Sequence, residues 1–396
     1  MRSAPRGELF SAFKRAASAG AMRFFLLSEP IQARAKFVRV RDNKITGGIF
    51  QMNSGILVPE ADRLVMTDAE SKGAQVSDPV RILAVTADYL NMVPPALREA
   101  SKFHLAQPGK QLRGVIAYQS AQYFGVSSER ALGWAAAVEL LHNASLIHDD
   151  ICDGDLQRRG RDTVFKRFGE SIAICLGDYY IGTAFGILAK IDAPAPCIGV
   201  FAQHMQAIIG GQASEFVFIG YPDWEKYQLI ATAKTAPLLS LPVIGAQYFA
   251  SKNTSDQAIS GYFESSALCF QIANDLRNFS GSDGANSPCS DLANCRPNAV
   301  IANFRTALDR REGAIFDIWA DRIRSAQLIA DTVETRRWWQ KVKNSDAFNQ
   351  TSRLLLQHFD EASKQLQALP SGLIPYIRPF HNWLGAELNQ LKQDFS

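Results

Sequence analysis

The sequence predicts an all-α protein, and three observations carry that expectation. From about Asp78 onward, long segments with apolar residues at helical spacing are separated by short Gly, Pro, Asn and Asp punctuation. Strand-like alternation is nearly absent over the same stretch. The chain has 396 residues, 47% hydrophobic and 20% charged, enough to close a large helical bundle around a central cavity.

Taken in order, residues 1–77 read as an N-terminal extension of unknown role. Its piece Lys44-Ile45-Thr46-Gly47-Gly48-Ile49-Phe50 suits a short hairpin and carries no chemistry. The first residues are basic (Arg2, Arg6, Lys14, Arg15 and Arg23, with Glu8 the sole acid before Glu29) and rich in Ser and Ala. Such a segment is either a bland leader on a cytoplasmic protein, the expectation taken here, or an organelle transit peptide. Residues 78–396 form the helical domain, where periodicity predicts helices over Ser128–Ile151, Ser171–Ala189, Pro196–Phe218, Trp224–Ala250 and Ser255–Asn278.

The formal net charge of +3 is small for this length and points to neither nucleic acid nor a strongly acidic partner. The six cysteines (Cys152, Cys175, Cys197, Cys269, Cys289 and Cys295) form no CxxC pair, and their wide spacing suits free thiols better than a disulfide or zinc framework. No transmembrane segment is expected: no uninterrupted apolar run reaches ~18 residues, and the best stretch, Ile172–Ile191, carries Asp178.

Four features bear chemistry, and their order says more than any one of them. Gly109-Lys110-Gln111-Leu112-Arg113 sets a flexible glycine before two cations that can meet one anionic group; alone, such a pair is usually a solvated face. His148-Asp149-Asp150-Ile151-Cys152-Asp153-Gly154-Asp155-Leu156-Gln157-Arg158-Arg159-Gly160 then sets carboxylates before paired arginines. On a helix Asp149 and Asp153 are i,i+4 neighbours, so both can share a hard cation, and Mg2+ usually keeps phosphate oxygens in its shell. His142 lies on nearly the same face. Ala233-Lys234-Thr235 offers a point charge and a hydroxyl. Phe270-Gln271-Ile272-Ala273-Asn274-Asp275-Leu276-Arg277-Asn278 places amide oxygens at Asn274 and Asn278, i,i+4; its bland reading is a helix end with local caps.

Together these residues resemble the trans-isoprenyl diphosphate synthase (polyprenyl synthetase) family over roughly residues 78 to 396. The first aspartate-rich motif, DDxxD followed by RRG, is matched by Asp149, Asp150, Asp153, Arg158, Arg159 and Gly160. GKxxR is present as Gly109, Lys110 and Arg113, KT as Lys234 and Thr235, and FQ as Phe270 and Gln271. The resemblance implies the isoprenoid synthase fold, a homodimer or alternatively a heteromer, and transfer between an allylic isoprenoid diphosphate and isopentenyl diphosphate. It implies that Asp149 and Asp153 ligate Mg2+ with Asp150 in support, that Arg158 and Lys234 neutralise the leaving diphosphate, and that Lys110, Arg113, His142 and Arg159 seat isopentenyl diphosphate. Thr235 and Gln271 join the substrate-binding set. Released pyrophosphate takes the proton, so no protein base is required.

The second motif departs from the family, with Asn274 and Asn278 where a second DDxxD usually stands. An amide oxygen ligates Mg2+ without compensating its charge, so of about three ions the one at Asn274 and Asn278 is expected to be weak. This departure leaves two other readings: a terpene cyclase of the same fold, or a non-catalytic subunit of a heteromeric synthase. The retained isopentenyl diphosphate set favours elongation. Just before the first motif, Ala144 and Ser145 are small, so the expected product is about C20 or longer, with Leu141 a turn deeper as the residue that could restore a stop.

Overall fold

The computed structural model describes residues 77–394 except 107–108, 159, 253–255, 282–289 and 326–332, with side chains described no further than Leu391. The extension and its hairpin, together with Arg159 and Cys289, lie outside the described residues.

The described chain is helical almost throughout. The first half runs α1 (Asp78–Tyr89), α2 (Pro95–Leu105), α3 (Leu112–Tyr123), α4 (Ser128–Cys152), the short α5 (Val164–Phe168), α6 (Glu170–Lys190), α7 (Ala195–Ser214) and α8 (Trp224–Phe249). The second half runs α9 (Asp256–Ser280), the short α10 (Ser290–Ala293), α11 (Ala299–Ala307), α12 (Arg310–Arg324), α13 (Val333–Lys343), α14 (Ala347–Ala368) and α15 (Ile374–Asp394). Four of the five expected helices end within two residues of expectation. The fifth, expected to Phe218, stops at Ser214. Beyond it Phe218 turns inward beneath the cations of Arg324 and Lys226, 4.2 and 5.5 Å from its ring centroid. The amides of Gly220 and Tyr221 then donate to Asp321 and Asp317, at 2.9 and 3.0 Å. Those partners lie about a hundred residues downstream, so local periodicity could not register them.

Side-chain caps fix several helix starts. Thr163, Asp223, Asn298 and Asp309 each accept a first-turn amide hydrogen, satisfying a donor the helix leaves open. A two-residue antiparallel ladder, β1 (Gln157–Arg158) with β2 (Arg161–Asp162), follows α4 and reverses the chain beside its acidic end.

The core has two parts. One gathers α1 to α9 around Trp134, Tyr180 and Phe201, the other gathers α8, α9 and the C-terminal helices around Tyr227, Phe316 and Trp338. Two helices prove long and apolar enough to cross a membrane by length and composition, Glu170–Lys190 and Trp224–Phe249. Both lie lengthwise on neighbours, α6 on α4 and α8 on α7, and their apolar windows are 39% and 72% buried. The hydrophobicity of α8 is that of a bundle helix. The five described cysteines are free thiols, as expected.

Candidate active site

The C-terminal turn of α4 carries the acidic cluster, and its three aspartates part company there. Asp150 is 3% exposed and accepts from Arg158 Nε at 2.7 Å, across the loop that β1 and β2 close. Burial pushes its carboxyl up to about 6, although Arg158 works against that. Asp150 therefore orients Arg158, a contact the sequence reading did not foresee. Asp149 and Asp153 share the other face. Asp153 Oδ2 lies 3.9 Å from Lys234 Nζ, and Lys234 donates to Glu215 Oε2 at 2.8 Å. Burial disfavours charge on Lys234, but Glu215, Asp153 and Asp149 together outweigh it and hold the ammonium above the ordinary lysine range. Burial likewise raises Asp149 and Glu215, with Lys234 opposing.

Glu215 escaped the sequence reading. The available signal was its isolation: no acid occurs between Asp192 and Glu215, at the end of an otherwise apolar helix. Gln212, one turn earlier, has both amide ends buried without a hydrogen-bond partner, a cost that a polar ligand would remove. Gly211 explains how α7 brings Glu215 to Lys234. A methyl group there would lie 2.5 Å from both Ala233 O and Lys234 N, so only glycine admits this approach. Pro237 on α8 has no N–H to give the Ala233 carbonyl, so the helical ladder is open at the point where Gly211 lies.

Of the basic set, Arg113 Nη1 and His142 Nε2 meet at 3.2 Å, joining α3 to α4. Gly109, at φ +67°, makes the turn that precedes α3. Lys110 instead stacks over Trp383 of α15, 5.0 Å from the ring centroid, a contact the sequence reading did not foresee. The third and fourth features meet directly, Gln271 Nε2 donating to Thr235 Oγ1 at 2.5 Å. Ala144 is fully enclosed and Leu141 is 3% exposed, whereas Ser145 is half-buried with its hydroxyl donated to the His142 carbonyl at 2.8 Å.

The Asn274–Asn278 segment of α9 is arranged differently from the first motif. Asp275 is buried and accepts from Tyr227 Oη at 2.6 Å and from the Ala299 amide at 2.8 Å. Burial and then Asp291 hold its carboxyl well above the usual carboxylate range. Asn278 Nδ2 donates to Ser290 Oγ at 2.8 Å, and Arg277 is paired with Glu387 of α15.

At the first motif the residues suit Mg2+. Asp153 and Glu215 set carboxylate oxygens around one ammonium, and burial raises the pKa of Asp149 and Glu215, a cost to their ionised forms that a bound cation would offset. Among the described residues no three His, Cys, Asp or Glu side chains form a closed cage; an ion here would take one or two carboxylates and fill its shell with water and phosphate oxygens. Protons would compete with such an ion for these carboxylates, so its affinity is expected to be lower at acid pH than at neutral pH, as calorimetric titrations at about pH 5 and 7.5 would show.

A helical bundle with paired carboxylates beside a buried lysine defines the class: the fold is that of the isoprenoid synthases. A decaprenyl diphosphate synthase from Rhodobacter capsulatus superposes with a TM-score of 0.67 at 21% identity, over 83% of this chain and 99% of that one. A geranylgeranyl pyrophosphate synthetase from Geoglobus acetivorans superposes at 0.62 and 25%, over 76% and 96%. The chain belongs to the polyprenyl synthetase family, whose profile matches residues 94–335. In sequence it is 34% identical over 198 residues to the geranylgeranyl pyrophosphate synthase of Geoglobus acetivorans, covering 48% of this chain and 61% of that protein. It is 28% identical over 234 residues to a (2E,6E)-farnesyl diphosphate synthase of Mycobacterium tuberculosis, covering 55% and 64%. The matches thus span about three fifths of these relatives' own lengths.

Proposed function

We propose that the chain is a Mg2+-dependent trans-prenyltransferase that extends an allylic isoprenoid diphosphate with isopentenyl diphosphate. One observation carries the reading: two separate cationic positions, Lys234 beside Asp153 and Arg113 beside His142, suit two diphosphates. Mg2+ held by Asp149 and Asp153 would neutralise charge gathering on the departing diphosphate. Lys234, already polarised by Glu215 and Asp153, hydrogen-bonds that anion, and Thr235, held by Gln271, lies beside it in sequence. Arg113 and His142 fix the second diphosphate so that its double bond faces the allylic carbon. A product of about C20 or longer is part of the proposal, resting on the small side chains of Ala144 and Ser145 before the first motif. A homodimer is part of the proposal: α6 exposes Ile174, Gly182 and Gly186 along one stripe, with open space at both glycines, a face that sedimentation analysis would test.

The decisive experiment incubates purified protein and Mg2+ with allylic diphosphates of increasing length, with and without isopentenyl diphosphate, and identifies products by mass. Longer diphosphates formed only with isopentenyl diphosphate support elongation. A hydrocarbon or alcohol formed without it would establish a cyclase, the reading the amides of the second motif favour, and turnover only on adding a partner chain would establish a subunit. For an elongating enzyme, Arg113→Ala should raise KM for isopentenyl diphosphate by about tenfold or more while leaving KM for the allylic partner within about twofold.

A further inference from the structure

Away from the active site, the outer face of α12 departs from the usual mixture of charges. Arg311, Ile315, Ile318 and Arg322 fall at i, i+4, i+7 and i+11 and form one solvent-facing stripe. The acids of this helix lie off the stripe, each half-buried and paired: Glu312 with Lys341, Asp317 with Arg305 and Asp321 with Arg324. Apolar carbon between two guanidinium groups is left facing outward.

The chain that follows α7 extends this stripe. The Gly220 and Tyr221 amides, tied to Asp321 and Asp317, bring Val217 and Ile219 beside α12 while Phe218 turns inward between them. Val217 and Ile219 are 79% and 89% exposed, Ile315 and Ile318 51% and 62%, a concentration of branched aliphatic side chains that marks a contact surface. A cleft beside Ile318 is lined by Phe218, Arg322, Arg324 and Ser325, and Arg324 keeps a buried donor there, Nη1, without a hydrogen-bond partner. Arg322 lies 3.9 Å from Glu334, a long and exposed pair that leaves its guanidinium available to an anion.

Aliphatic side chains at the depth of acyl chains, with guanidinium groups at the level of phosphates, are how a surface helix meets a bilayer. Other occupants match the charge less well. A second copy docked through the same face would set cation against cation. The first residues of the chain, with Arg2, Arg6, Lys14, Arg15 and Arg23, are basic too and offer no complement.

We propose that α12 and residues 217–219 dock the protein on a bilayer carrying anionic lipid, with the exposed aliphatic side chains entering the headgroup boundary and Arg311, Arg322 and Arg324 meeting lipid phosphates. The docking stands on this surface alone. That it serves release of an amphiphilic isoprenoid diphosphate into the same bilayer rests on the elongation reading above.

Co-sedimentation of the full chain with vesicles of phosphatidylcholine, alone or with about one third phosphatidylglycerol, tests the docking without any substrate. Binding should be about tenfold or more tighter to the anionic vesicles and should fall as salt is raised. The double variants Arg311→Gln with Arg322→Gln, and Ile219→Ser with Ile318→Ser, should each weaken it about tenfold or more. Replacing both arginines by lysine should keep most of the binding. These positions are exposed, so the fold should survive each change, which circular dichroism checks. The inference is overturned if the chain sediments no better with anionic than with neutral vesicles, or if either double variant binds within about twofold of the unmodified chain. It is equally overturned if sedimentation velocity shows the isoleucine variant losing a dimer that the unmodified chain forms, since a second copy would then cover the face. Vesicle binding by a chain that elongates no allylic diphosphate would overturn the elongation reading and leave the docking standing.

Discussion

Asp149→Asn is expected to lower Mg2+-dependent turnover by about a thousandfold, the scale for removing a group that stabilises developing charge. Asp149 and Asp153 are the two first-motif carboxylates on the face turned toward Lys234, because Asp150 is committed to Arg158. With one of them neutral, an ion that depends on one or two protein carboxylates keeps half its charged ligands. The stability effect has the opposite sign. Burial raises the Asp149 pKa, so folding favours its protonated form and the ionised carboxylate opposes folding at neutral pH; that opposition fades as pH falls. Without Mg2+, Asp149→Asn should therefore melt at the same temperature as the parent or higher, while losing the upward shift that Mg2+ with pyrophosphate gives the parent. A large drop in Tm without Mg2+ would mean that Asp149 is structural.

Gly211→Ala is the second large expectation, and it acts through the scaffold. The added methyl would lie 2.5 Å from Ala233 O and Lys234 N, which are backbone atoms of α8 that no rotamer change can clear. Overpacking of this kind costs about 1–3 kcal/mol, and an immovable backbone places Gly211→Ala at the upper end, roughly 4–5 °C in Tm for a domain of more than 300 residues. Moving α7 off α8 also separates Glu215 from Lys234, so pyrophosphate binding should weaken in the protein that remains folded. The neighbouring residue is the control: Gly210 has nothing within 4 Å of a built Cβ, and Gly210→Ala should be neutral or stabilise by up to about 1 kcal/mol through helix propensity. Thermal melts of the two variants side by side decide the matter. Equal Tm values would remove the close approach as the device that positions the lysine.

Much of the first wall was legible before any fold was known. The i,i+4 relation of Asp149 and Asp153 follows from 3.6 residues per turn, and the α4 periodicity marked that helix to within one residue of its end. Arg158 was found but its contact with Asp150 was not, because the two-residue ladder that returns it there leaves no alternating pattern long enough to notice. Glu215 was passed over because an acid at a helix end looks solvated until α7 is laid on α8.

The second wall shows the same boundary from the other side. The loss of its carboxylates at Asn274 and Asn278 is plain in the residues themselves. What became of the remaining groups depends on partners far along the chain: Tyr227 and Ala299 around Asp275, Glu387 on Arg277, and Arg296 opposite Asp155. By itself, then, the sequence determined the helical class, the acidic face and the missing charge across from it, because helical spacing and residue chemistry are local. Only the tertiary structure decided which buried charge meets which counter-charge, because that depends on packing between helices tens to hundreds of residues apart, where one glycine's missing methyl or one tyrosine's hydroxyl sets the outcome.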